Sequence, residues 1–122
     1  MKILFLMALI LASINANAGG YLTSTVDSLT GVTIDNYFVH SGGEVTLFIS
    51  GGATNPDTAT CDSIGKVHLK GDLPGHNNMV AAALAAFASG KKIGMYASKC
   101  TTITFWGGTV RYPIISNLWV FK

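Results

Sequence analysis

A chain of 122 residues with 11% charged side chains and a formal net charge of +2 has the length of one small domain. Its charge contrast is too weak for a polyanion such as a nucleic acid to be its main target. The high apolar fraction, 49%, owes much to one segment at the start.

That segment reads as an export signal. Lys2 supplies a positive n-region, residues 3–11 an unbroken apolar run, and Ala16-Asn17-Ala18 the small-x-small pattern of a cleavage site. A permanent transmembrane helix needs about 20 apolar residues; this run is shorter, so a removable signal peptide over residues 1–18 is expected rather than a membrane anchor. The remaining domain, residues 19–122, is then secreted or periplasmic. Without Lys2, seven basic residues face Asp27, Asp35, Glu44, Asp57, Asp62 and Asp72, close to balance. Lys66, Lys70, Lys91, Lys92 and Lys99 cluster in the middle of the chain and read as solvated edges. The two cysteines, Cys61 and Cys100, both lie in the exported part. A disulfide between them is expected, since neither has a nearby histidine to complete a metal site.

Along the exported part, residues 30–40 (TGVTIDNYFVH) are rich in β-branched and aromatic side chains and predict a first strand. Ser41-Gly42-Gly43 signals a turn. Residues 44–50 alternate, with Val45, Leu47 and Ile49 on the inner face. Residues 51–62 read as a loop. Residues 64–70 predict a third strand with Val67 and Leu69 inward and His68 on the solvent face. A helix is expected over residues 77–89, capped by Asn77 or Asn78 and ended by Gly90. Met79, Val80, Ala83, Leu84 and Phe87 would form its apolar stripe. Residues 93–97 and 101–106 predict two more strands, Gly107-Gly108 a turn, residues 109–112 a short partner broken by Pro113, and residues 114–121 a closing strand. The fold class is α+β, mostly β. Three strands, a helix and then two or more strands are the element order of an OB-like Greek-key barrel of five or six strands, with its helix between strands three and four.

No reaction chemistry is written in the chain. His40, His68 and His76 form no metal-ligand spacing and read as surface or capping residues. The serines lie in no nucleophile elbow, and no phosphate or dinucleotide loop is present. The six carboxylates fall in turns or on edges. No catalytic residue, metal or cofactor is therefore expected. Among the many aromatics, Trp106 and Tyr96 are the ones expected at the surface, where a ring beside Thr, Ser and Asn would suit a sugar.

Gly31-Val32-Thr33-Ile34, the helix-to-strand junction Ala88-Ser89-Gly90-Lys91-Lys92-Ile93 and Tyr112-Pro113 carry a resemblance. The chain resembles the OB-fold B subunits of subtilase-type and pertussis-like AB5 toxins. The resemblance implies an exported, carbohydrate-binding component that assembles as a homopentamer, meets a host-cell glycan and serves an enzymatic A subunit. Thr30 occupies the place of a sugar-contacting serine of that family. Tyr96 falls one position from a family tyrosine that helps hold the sugar, so these two residues are the candidate ligand contacts. The other expectation is a stand-alone secreted or periplasmic domain that binds a protein partner and has no sugar site.

Overall fold

The computed structural model describes residues 20–23, 31–54 and 61–122; the expected signal peptide and Thr30 lie outside the described residues. Six strands, β1 (Gly20–Tyr21), β2 (Val32–Val39), β3 (Val45–Gly51), β4 (Lys66–Leu69), β5 (Ile93–Thr102) and β6 (Arg111–Val120), form one sheet, with a single helix, α1 (His76–Ser89), between β4 and β5. The described residues are thus mostly β with one helix. The sheet order is β1-β5-β2-β3-β4-β6, and β5 also pairs with β6 along its length. β4 and β6 run parallel, meeting at His68 and Ile114; the other pairings are antiparallel.

The inner face follows the alternation of the sequence. Val32, Ile34, Val45, Leu47, Ile49, Val67, Leu69, Ile93, Met95, Ala97 and Ile115 are buried together with Leu22 and the helix residues Met79, Ala83 and Ala86. Each large aliphatic chain removed from water in this way stabilises the fold by roughly 1.5–3 kcal/mol. On β2 the phase changes. The β2–β3 register slips between Ile34 and Asn36, and this bulge leaves Asp35 unpaired. Beyond it Tyr37 points toward the core and donates its hydroxyl to the Val80 carbonyl at 3.1 Å. Phe38 and His40 turn to the outer face.

Four expectations change. The helix starts at His76, with Gly75 at its N-cap position and no side-chain cap, because the Met79 N–H already bonds the Gly75 carbonyl; Asn77 and Asn78 lie inside the first turn. The helix buries a narrow stripe of Met79, Ala83 and Ala86, while Leu84 and Phe87 remain 49% and 41% exposed. At 3.6 residues per turn Met79, Ala83 and Ala86 fall on one line of the helix, while Leu84 and Phe87 lie to the side of it; Phe87 stacks instead on Tyr37. The predicted strand over residues 101–106 ends early, at Thr102, and Thr104–Trp106 form a 3-10 turn closed by Gly107 at φ +88°. Finally, Pro113 does not break the last strand. It faces Cys100 across the ladder, one residue before β6 meets β4, and a proline interrupts a strand only where its N–H would have been paired. Gly90 ends the helix in the left-handed conformation as expected.

The disulfide is present, joining Cys61 to Cys100 with the Cα atoms 5.6 Å apart. Beside it Asp62 accepts from the Arg111 backbone N–H at 2.9 Å and from the guanidinium at 3.2 Å. Together they fasten the segment before β4 to the end of β5, through Cys100, and to the start of β6, through Arg111. Among the described residues, no helix is long and apolar enough to cross a membrane.

Candidate functional site

The candidate Tyr96 lies on the outer face of β5, and strand register sets its surroundings. Tyr96 pairs with Tyr21 on β1 and with Asn117 on β6, and Gly94 pairs with Trp119. Because side chains alternate along a strand, all five positions share one face. The Trp119 indole lies over Gly94. A Cβ at Gly94 would run into Nε1 and the adjoining carbon of the indole, so only glycine admits this ring, and Nε1 is buried there without a hydrogen-bond partner. Tyr21, 57% exposed, stands edge-on to Tyr96 at 4.9 Å and 77° and to Trp119 at 6.3 Å and 68°. These rings and Asn117 line an open concavity of about 540 Å³. The Ser116 hydroxyl donates to Asn117 Oδ1 at 3.0 Å, which leaves the amide Nδ2 to donate outward.

A second cavity, of about 550 Å³, lies at the other end of the outer face and includes His40, Glu44, His68, Asp72 and Thr104 in its lining. Below it runs a chain of hydrogen bonds. His40 Nε2 meets Thr46 Oγ1 at 2.7 Å, Thr46 Oγ1 meets His68 Nδ1 at 3.0 Å, and His68 Nε2 meets Glu44 Oε2 at 2.9 Å. One proton arrangement satisfies every bond when Glu44 is ionised. His68 donates from Nε2 to the carboxylate and accepts at Nδ1 from the Thr46 hydroxyl, whose oxygen accepts from His40 Nε2. Burial pushes the Glu44 carboxyl up, but the bonds from His68 and the Gly71 N–H and the nearby Lys70 outweigh it and hold it below its ordinary value. Burial, reinforced by His68, holds the His40 imidazole below its ordinary value despite the opposing pull of Glu44.

His68 corrects the sequence expectation: it does face outward, opposite Val67 and Leu69, yet it is only 4% exposed. The His40 ring stands against it at 5.6 Å and joins it to an aromatic cluster. Phe38 packs at 4.9 Å against both Phe105 and Trp106, and His40 stands over Trp106 at 5.5 Å. Thr46, His68 and Glu44 have the order of a nucleophile, base and acid, but Thr46 is fully buried and its hydroxyl is held between two imidazoles. His76 bonds the Gly43 carbonyl at 3.3 Å rather than capping the helix. Lys66, expected on a solvated edge, places Nζ 4.9 Å from the Phe48 ring centre, 5.4 Å from Trp106 and 5.3 Å from Tyr112. Among the described residues, no group of three or more His, Cys, Asp or Glu side chains is placed to hold a metal ion.

Of the two candidate contacts, Tyr96 therefore lies in a concavity, and Thr30 is outside the described residues. Sequence reasoning missed Tyr21, Asn117 and Trp119. The signal was present as paired i, i+2 spacings, Gly94 with Tyr96 and Asn117 with Trp119, on neighbouring strands. Comparison with known proteins finds no match to a family model, a curated protein or a solved structure.

Proposed function

We propose that the chain is an exported, non-catalytic binding domain of OB-like Greek-key barrel topology that holds carbohydrate, in the manner of a toxin B subunit. The observation that carries the reading is the concavity of Tyr21, Tyr96 and Trp119 beside the Asn117 amide. Aromatic rings offer an apolar surface to the C–H face of a sugar, and a few placed polar groups bond its hydroxyls. The barrel topology is supported by pairings that run β2–β3, β3–β4, β4–β6 and β6–β5 and return to β2 through Val32 and Ile93, with the helix between β4 and β5. A disulfide and a leader-like start are compatible with a secreted or periplasmic location.

A glycan array probed with the oxidised protein tests the sugar reading. Capture that is weakened by Tyr21→Ala supports it, and silence across the array removes it. Light scattering tests the accompanying assembly: a pentamer is expected for a B-subunit ring that would seat an enzymatic A subunit. A second reading, docking of a protein partner, is favoured by one observation. Val39 and Phe105, 59% and 66% exposed, line the same groove.

A further inference from the structure

An acidic sugar needs a cation or a convergent set of N–H donors to replace the water its carboxylate loses. The positions of the charged residues bear on this directly. Of the chain's eight Lys and Arg residues, only Lys2 falls outside the described residues, and it belongs to the expected leader. None of the other seven lines the aromatic concavity. Lys66 is held among three rings of the other cluster, and Arg111 is engaged by Asp62. The histidines are committed as well, His40 and His68 to Thr46 and His76 to Gly43. The remaining charged residues outside the described ones, Asp27 and Asp57, are carboxylates and add no cation to the chain.

From this we infer that the concavity selects uncharged pyranosides and rejects sialylated or sulfated ones, an inference that rests on the carbohydrate reading above. The shape agrees with it. Trp119 lies against Gly94 and Tyr21 stands steeply to it, so the rings form a corner that meets one face and one edge of a sugar ring. Asn117 Nδ2 and the tyrosine hydroxyls supply neutral hydrogen bonds to ring hydroxyls. An uncharged sugar gives up only hydroxyl hydration that these groups replace. A carboxylate or sulfate would be left against uncharged rings.

The test is a titration of the oxidised protein, followed by NMR, with the methyl glycosides of galactose, glucose and N-acetylglucosamine and with N-acetylneuraminic acid and galactose 6-sulfate. Vesicles bearing a lactosyl lipid form a parallel arm. The native chain is compared with Tyr21→Ala and Asn117→Ala, both exposed positions, whose melting curves should match the native one. The expected result is saturable binding of at least one uncharged sugar, about tenfold or more tighter than either acid, insensitive to salt and weakened about tenfold by each substitution. Binding seen with the free glycosides or only with the vesicles supports the inference equally and tells which source presents the sugar. Acidic sugars bound as well as neutral ones overturn it while leaving the carbohydrate reading in place. Neutral binding indifferent to both substitutions removes this concavity as the site. Binding of no sugar in either arm overturns both readings.

Discussion

Replacing Thr46 by valine isolates the hydrogen-bond chain beneath the second cavity. Valine has the shape of threonine, so the packing is conserved and only the hydroxyl is lost. Two bonds break, those to His40 and His68, but their consequences differ. His40 is half-buried, and its Nε2 regains water. His68 is 4% exposed and Thr46 fully buried, so no water reaches Nδ1, which is left facing a methyl group. One buried orphan acceptor costs about 1–3 kcal/mol, and about 2 kcal/mol is the expected loss. For a domain of this size that lowers the melting temperature by roughly 10 °C. Thermal unfolding of the oxidised protein followed by circular dichroism reads this directly. Thr46→Ser serves as the control: it keeps the bridging oxygen and loses one methyl group, worth about 1 kcal/mol. A valine variant that melts within about 2 °C of the native protein, or no lower than the serine variant, would refute the claim that the hydroxyl joins the two rings.

Gly94→Ala places a methyl group in the space of the Trp119 indole; the ring must leave, and both Trp fluorescence and sugar binding should change, whereas unchanged emission would show the ring does not rest there. Lys66→Met retains the stem and removes the cation from among Phe48, Trp106 and Tyr112, with an expected loss of about 1 kcal/mol in urea unfolding; an unchanged midpoint would show the cation adds nothing. Reducing the Cys61–Cys100 bond, which closes 39 residues, should lower stability by about 4 kcal/mol, seen as a shifted melt in reductant. The pH dependence has a definite sign. His40 and Glu44 both titrate below their ordinary values of 6.5 and 4.5 in the folded chain, so the unfolded chain binds more protons and stability falls with acidification. The loss begins below pH 6.5 for His40 and continues below pH 4.5 as Glu44 is protonated. A melting temperature that rises from neutrality toward pH 5 would contradict the assigned network.

The alternation of β3 and β4 and the glycine that ends the helix are local properties, and they were legible in the residues themselves. The phase of β2 was not, because a bulge at Asp35 is fixed by pairing with β3 and leaves no mark on the strand itself. The span Thr101–Trp106 has the composition of a strand. It turns because Gly107 and Gly108 allow Trp106 and Phe105 to fold back over Phe38, a tertiary contact. The outward direction of His68 was legible, while its burial against Thr46, Glu44 and the His40 ring depends on cross-strand pairing and was not. At the candidate site, Tyr96 was visible as an aromatic on an outer face. Its partners come from β1 and β6, and only the register of both with β5 reveals them.

Along β5, Ile93, Met95 and Ala97 point inward while Gly94 and Tyr96 point outward. Interior and candidate site are thus written in alternate letters of one short word. Deleting a single residue there would exchange the two sets, sending Met95 to the surface and Tyr96 into the aliphatic interior. A lineage can therefore retune this site only by exchanging side chains in place, at Tyr21, Tyr96, Asn117 or Trp119. Relatives that differ in ligand should therefore keep the spacing from Ile93 to Ala97 while varying the outward letters.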